Sequence, residues 1–521
     1  MKKIISILLA CLMLVSCFSV VSFAETKVYE QPFATGTEDC ERFRIPSIIT
    51  LKDGAGVLAA ADLRYGHGSD APGNLDTLVA YSKDGYTDWE YKRVNYFDDF
   101  AHGYGEYGDN SAAFIDSAMV QDSKGKIYLI VDAFASGGGA WEGAKGTGYI
   151  EFLGKEYLAL TNTDDIEKDL KHFEFYMGEF EGEFAAVYKR GTTEKTEYTV
   201  DREYRLYKNG APIYMNQIGS DKKVQQNVFY VDSDLTVQRV MHLWLRTSED
   251  NGKTWSDPTI ITPQVKEDRE GFFGIGPGRG FVTTLADGTE RILFCVYDNS
   301  STNIVGMENA STIYSDDGGV TWHRGKRVLN NITMLKTSES QIVNLPDGSL
   351  RMYSRNKSNL IGYADSTDGG VTWTTSTPDK NLEGTKDCMV SFINYDRKIN
   401  GKDVLIASYA SNIDSRADGV VRVGLIQGDN SVEWGPVYHL NQGFFAYSCL
   451  TILPDGNIGV LGEHEAASIT YQVLTIGENG EISEINGNNA EFNPPARTFW
   501  QKIGDFFKSV LRFFQSWFGL I

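Results

Sequence analysis

The sequence predicts an all-β protein of the propeller type, on three grounds. First, the pattern Ser-x-Asp-x-Gly-x-Thr-Trp occurs three times, at Ser248–Trp255, Ser315–Trp322 and Ser366–Trp373. A looser copy, Ser82–Trp89, keeps Ser82, Asp84 and Trp89 but carries Gly85 and Thr87 one place early. A fixed motif recurring tens of residues apart marks a repeat architecture. Second, short apolar runs end in Asp-Gly turns at Asp53-Gly54, Asp287-Gly288, Asp347-Gly348 and Asp455-Gly456. Strands so punctuated belong to sandwiches, barrels or propellers. Third, helix-period segments are scarce. The Asp-containing repeats favour the propeller, whose blades are small antiparallel sheets around an axis.

Within each repeat the residue types are those of a turn. Asp and Ser side chains bond nearby backbone N–H groups, Gly supplies a backbone angle other residues avoid, and Trp covers the turn. These boxes are therefore expected to close hairpins and to take no part in chemistry.

The elements follow in order. Residues 1–24 read as a signal peptide: Lys2 and Lys3 precede an apolar run from Ile4 to Val15, and Ser22-Phe23-Ala24 offers a small-x-small cleavage site. The run is too short to span a bilayer. Leu14-Val15-Ser16-Cys17 also resembles a lipobox, which would place a lipid on Cys17. Either reading exports the protein, as a secreted or cell-surface-associated chain. Residues 25–147 read as the first part of the propeller. Residues 148–232 lack the box, are rich in charge and Tyr, and alternate as solvated strands do, so they read as an inserted β domain. The propeller resumes over 233–490. After Asn493-Pro494-Pro495, residues 496–521 form an amphipathic helix with a basic polar face and Trp500 and Trp517 near its ends. That combination suits contact with a membrane surface and not a span.

The formal charge is −21, and loss of residues 1–24 removes two lysines and no acid, leaving −23. Such a chain does not hold nucleic acid by general electrostatics. Any anion site has to be built from particular arginines. Past residue 24 the cysteines are Cys40, Cys295, Cys388 and Cys449, too scattered for a metal site and expected as buried thiols or at most one bridge. Gly274–Gly280 (GIGPGRG) is glycine-rich but lacks the Lys-Ser/Thr and the helix of a phosphate-binding P-loop.

Arg44, in Phe43-Arg44-Ile45-Pro46, lies in an apolar run and must find an anion or a carboxylate. Taken alone it reads as a structural salt bridge. Arg355 ends the strand Leu350–Ser354, and Arg416 follows Ser411-Asn412-Ile413-Asp414-Ser415. Through these residues and the boxes, over roughly residues 30–465, the chain resembles the bacterial exo-sialidases of glycoside hydrolase family 33. That family begins its propeller with an F/Y-R-I-P motif.

The resemblance implies a six-bladed propeller that releases terminal sialic acid with retention. Arg44, Arg355 and Arg416 match the family's carboxylate-clamping triad, with Arg422 an alternative for the third. Guanidinium geometry suits such a clamp. Asp70, in Gly68-Ser69-Asp70-Ala71-Pro72, matches the acid/base, and Arg64 the extra arginine beside it. Tyr447, in Ala446-Tyr447-Ser448, matches the nucleophile and Glu339 its partner. Glu463 matches the residue that holds the first arginine. Asp116 and Phe134 match pocket residues near the sugar's O4 and N-acetyl group.

The residue types suit the chemistry. The anomeric carbon of sialic acid bears a carboxylate, which repels an anionic nucleophile but not a neutral Tyr. A carboxylate in hydrogen-bond reach takes the phenol's proton, nearby arginines are expected to favour phenolate, and sialidases depart from the two-carboxylate scheme in this way. Each residue also has a structural reading: Tyr447 as one core aromatic among 27 Tyr, Asp70 as a turn cap before Pro72, Glu339 as a surface strand residue. Together, with three arginines in order, they read as catalytic.

The implied partners are sialylated glycoproteins, glycolipids and oligosaccharides, acted on by a monomer without metal or cofactor. Three alternatives stay open. One is an intramolecular trans-sialidase giving an anhydro sugar. Another is a non-catalytic sialoglycan-binding propeller, which would need the arginines but not Tyr447, Glu339 and Asp70 together. The third is an Asp-box enzyme for a different sugar, which would not call for an arginine triad.

Overall fold

Six antiparallel sheets, each built on four strands in up-and-down order, succeed one another around a central axis in a computed structural model. It describes residues 29–104, 110–140, 143–162, 170–299, 308–330, 336–382, 384–465 and 468–485. The expected signal peptide with Cys17, and the expected helix over 496–521, lie outside these residues. The innermost strands are Phe43–Leu51, Ala113–Gln121, Phe281–Thr284, Ser340–Asn344, Ser391–Ile399 and Ser448–Ile452. Strands covered on both sides by neighbouring blades read as unbroken buried runs, and Gly56–Tyr65 is buried at every position. The protein is a six-bladed β-propeller.

The last blade meets the first, so the ring is closed and the inner strand edges are short and protected. Thr50 and Thr451 hydroxyls lie 3.0 Å apart across that seam, and the Tyr86 hydroxyl donates to Asp455 at 2.7 Å. Gln31 donates its amide to the Tyr471 carbonyl at 2.8 Å, strapping the start of the described chain to the last blade.

The four boxes occupy one topological place: each joins the third strand of its blade to the fourth, in the first four blades. In Ser315–Trp322 the Ser315 hydroxyl donates to Asp317 at 2.8 Å and accepts from Gly319 N–H at 2.8 Å. Asp317 also accepts from Thr321 N–H at 2.9 Å and from the Thr321 hydroxyl at 2.6 Å. Trp322 Nε1 closes the turn on the Gly319 carbonyl at 3.2 Å. Gly319 has φ 83° and a Cβ there would meet the Tyr128 ring at 2.6 Å, so this position requires glycine. The looser copy makes the same turn one residue shorter, with Asp84 accepting from Tyr86 and Thr87 N–H groups at 2.7 and 3.1 Å. Because strands alternate in direction, the boxes and the Asp-Gly turns share one face, opposite the face where inner strands begin and second strands end.

An extra sheet departs between the paired strands Ile127–Phe134 and Met241–Ser248 of the second blade. It begins with Tyr149–Phe152 and ends with Thr236–Val237, which returns to pair with Thr161 and Leu160, so it runs on past residue 232. Its anchor is aromatic. Trp244 of the propeller packs against Tyr204 and Phe229 of the insertion at 5.1 and 5.5 Å between ring centroids. Arg246 adds an ion pair to Glu203 at 2.6 Å. All four described cysteines are buried and free, in line with the expected buried thiols.

Asp317→Ala removes a carboxylate that organises four donors of its turn. It is expected to cost about 1–2 kcal/mol, since the exposed turn regains water for part of what it loses. Denaturant melts check this. Activity per folded molecule should be unchanged, and a selective loss of activity would mean that the box does more than close a hairpin.

Candidate active site

The ends of the inner strands bring together residues that lie hundreds of positions apart. Glu339 and Tyr447 immediately precede Ser340–Asn344 and Ser448–Ile452. Arg44 is the second residue of Phe43–Leu51, and Arg355 follows Leu350–Ser354. Glu463 lies near the end of Ile458–Glu465, with Asp70 and Arg416 in loops on the same face.

At the centre, the Tyr447 hydroxyl donates to Glu339 Oε1 at 2.6 Å. Arg355 Nη1 donates to Glu339 Oε2 at 2.6 Å and to the Tyr447 oxygen at 3.0 Å. The guanidinium carbons of Arg44 and Arg416 each lie 5.5 Å from the centre of the Tyr447 ring. Burial, together with the Glu339 charge, pushes the Tyr447 phenol well above its usual range, against the opposing pull of Arg355 and Arg416. The arginines do favour phenolate, as expected, but burial and Glu339 outweigh them: the resting residue is a neutral phenol with a carboxylate ready to take its proton.

The Phe43-Arg44-Ile45-Pro46 segment bends out of strand register between Arg44 and Ser47, with Ile45 at φ 56°. That bend turns Arg44 onto Glu463, whose carboxylate accepts from Nε and Nη2 at 3.1 Å each and from Ile45 N–H at 2.9 Å. The Glu463 side chain is 0% exposed. Arg44 Nη1 reaches Asp70 at 3.2 Å.

Asp70 has a side chain that is 67% exposed and faces two guanidiniums, Arg64 at 2.7 Å and Arg44 at 3.2 Å. Desolvation raises its pKa, but Arg64 and Arg44 outweigh it and hold the carboxyl below the ordinary range. Arg64 is buried, bound also to Asp62 at 2.9 Å and the Gly68 carbonyl at 3.0 Å. Asp116 occupies a bulge at φ 65° and donates its N–H to Asp62 at 3.2 Å. Burial, then the charges of Asp132 and Asp62, raises its carboxyl well above the usual range and so favours its protonated form.

Two expected positions resolve differently. Arg422, the alternative for the third arginine, spends its donors on carbonyls of Gly435, Trp434 and Asn381 in the outer part of its blade. Arg416 is the one beside Tyr447. Phe134 is buried in an interblade core with Leu75, Ile115 and Phe273.

A family model for a BNR repeat-like domain matches residues 196–460. The chain is 31% identical to an anhydrosialidase of the leech Macrobdella decora over 86% of its own length and 61% of that protein's. It is 29% identical to sialidase B of Streptococcus pneumoniae, over 81% of its own length and 61% of that protein's. The structure of an intramolecular trans-sialidase from Ruminococcus gnavus superposes with a TM-score of 0.75 at 31% identity, covering 85% of this chain and 96% of that one. The chain belongs to the sialidase family. It spans about three-fifths of the length of these two curated relatives.

The chain carries one further organising residue that no motif announced. Asp387 accepts from Arg355 Nε at 2.9 Å through its side chain, and from Arg416 Nη2 at 2.9 Å through its backbone carbonyl. Lys336 approaches the same carboxylate at 3.4 Å and pairs with Glu308 at 2.9 Å. Lys386-Asp387-Cys388 has no repeat, turn or spacing signal, so only the fold could show it.

Removing one partner of the Arg44–Glu463 pair leaves a buried charge. Glu463→Leu is expected to cost about 3–5 kcal/mol, and Arg44→Met with Glu463→Leu to recover much of that, since replacing both partners removes the uncompensated charge. A denaturant double-mutant cycle measures both. A cost below about 1 kcal/mol for Glu463→Leu, as for an exposed pair, would show that the pair is not a buried structural element.

Proposed function

We propose that the protein is an exo-α-sialidase that releases terminal sialic acid from glycoconjugates with retention. The observation that carries this reading is the Tyr447–Glu339 hydrogen bond at 2.6 Å set among three arginines. Arg44, Arg355 and Arg416 bind the substrate carboxylate. As Tyr447 attacks the anomeric carbon, Glu339 takes its proton and Asp70 protonates the departing glycosidic oxygen. A sugar–tyrosine bond results. In the second half Asp70 removes a proton from the incoming hydroxyl, that oxygen bonds to the anomeric carbon, and Tyr447 leaves with the proton held on Glu339. Two displacements at one carbon retain its configuration.

Asp70 needs a proton at the start, yet two arginines hold it ionised in the ligand-free protein. A substrate carboxylate arriving on Arg44 competes for that guanidinium and adds negative charge nearby. Both effects raise the Asp70 pKa, so binding itself prepares the acid.

Similarity to the leech anhydrosialidase and the Ruminococcus intramolecular trans-sialidase favours a second reading of the final step. There a hydroxyl of the bound sugar replaces water, and the product is an anhydro sugar lighter by one water. NMR of a sialyllactose digest separates the two products, and absence of both would overturn the assignment as a sialidase.

Tyr447→Phe is expected to lower kcat by several orders of magnitude while leaving the melting temperature close to wild type, and wild-type turnover would sink the nucleophile assignment. Asp70→Ala should reduce cleavage of natural glycans by about 100- to 10,000-fold, the range of a positioned general acid. Aryl sialosides, whose leaving group needs little protonation, should lose far less. Equal losses on both substrates would remove Asp70 from the acid role.

A further inference from the structure

The glycine-rich segment Gly274–Gly280 is not a P-loop, yet its place in the fold is unusual. Residues Gly278–Arg279 run parallel to Ala118–Met119 along the axis, tied by Ser47 Oγ to the Gly278 carbonyl at 2.5 Å and by Gln341 Nε2 to the Pro277 carbonyl at 2.9 Å. Gly278 has φ 101°, and a Cβ there would meet Met389 at 2.9 Å. At Gly280 a Cβ would meet the Phe294 ring at 2.6 Å. The glycines therefore let the backbone pass between inner strands where a side chain would not fit.

This path delivers Arg279 into a cavity of about 300 Å³ at the end of the axis away from the Tyr447 cluster. Thr50, Asn344, Asn394 and Thr451, from the inner strands of four different blades, help line it. Among the described residues, no Asp or Glu lines the cavity. Among the described residues, Arg279 makes one hydrogen bond, from Nη1 to the Leu450 carbonyl at 3.2 Å. On the catalytic face, Arg44 and Arg355 are matched with carboxylates, and Arg416 bonds the Asp387 carbonyl. A guanidinium has five N–H donors, and an enclosed cation without a counter-charge is costly. In a chain of formal charge −21, acid partners are abundant, yet none of the described ones lines this cavity.

We propose that Arg279 forms an anion site at the far end of the propeller axis, taking a small inorganic anion such as chloride or phosphate between the inner strands of four blades. The anion supplies the missing counter-charge. It also braces strands whose opposite ends carry Arg44, Glu339 and Tyr447.

The test uses the full-length protein in sodium gluconate at constant ionic strength. Chloride and, separately, inorganic phosphate replace gluconate while calorimetry follows the melting temperature. A site present only in the folded state gives a saturable rise. Because the arginines of the catalytic face also attract anions, Arg416→Gln is measured beside Arg279→Gln and Arg279→Lys. The rise should persist in Arg416→Gln, shrink in Arg279→Lys and vanish in Arg279→Gln. The two titrations show which anion the site prefers. No saturable rise with either anion in wild type, or an undiminished rise in Arg279→Gln, overturns the proposal. Should Arg279→Gln fail to fold, chlorine NMR line broadening by Arg416→Gln decides: saturable excess broadening, or its displacement by phosphate, supports the site, and broadening no greater than that of Arg279→Lys overturns it.

Discussion

Glu463 is a carboxylate sealed between the last blade and the first, and much of the molecule is arranged around it. It binds Arg44 through two nitrogens and takes the Ile45 N–H as well. The backbone of the same residue pairs with its neighbours across the last blade, donating to the Tyr447 carbonyl at 2.9 Å and accepting from Ala446 N–H at 3.1 Å. One residue thus helps close the ring, aims the first arginine and sets the backbone that carries Tyr447. Closure and site geometry are coupled, because the inner strands that meet at the seam are the strands that begin at the site. A buried carboxylate tolerates this position only because charge-assisted bonds compensate for its lost hydration.

The cluster keeps three of its four arginines paired with carboxylates before any substrate arrives, while Arg416 bonds the Asp387 carbonyl. Arg44 rests on Glu463 and Asp70, Arg64 on Asp62 and Asp70, and Arg355 on Glu339 and Asp387. Glu463, Asp62 and Glu339 are buried, so these arginines are held in orientation and little rearrangement is needed to receive a ligand carboxylate. Asp70 alone among these acids has a largely exposed side chain, which makes it the partner a ligand displaces most easily. Holding Tyr447 neutral has its own consequence: an anionic phenolate would compete with the substrate for the arginines, whereas a phenol bound to Glu339 does not.

The boxes and the site divide the propeller by face. Turns that join first to second and third to fourth strands gather at one face, and Ser, Asp, Gly, Thr and Trp satisfy their backbone groups locally. The other face receives the starts of inner strands, where bulges at Arg44 and Asp116 break the ladder and turn side chains toward the axis. Regular pairing stabilises the first face, and interrupted pairing exposes chemistry on the second.

The sequence by itself determined the propeller, the presence of an insertion within it, and the constellation of Arg44, Arg64, Asp70, Glu339, Arg355, Tyr447 and Glu463. Those were legible because turn chemistry is local and because the arginine-bearing segments have recognisable neighbours. Tertiary structure alone decided the rest. Whether Arg416 or Arg422 belongs to the cluster depends on which guanidinium finds carbonyls within its own blade, and Arg422 does. Asp387 became visible only when its two arginine partners did, and Phe134 proved to be interblade core because strand pairing sets which way it points. Protonation was likewise beyond the sequence: burial and Glu339 keep Tyr447 a phenol, while Arg64 and Arg44 keep Asp70 ionised. A residue's type states which charges it is able to carry, but the charge it does carry is set by neighbours that only the closed ring brings within reach.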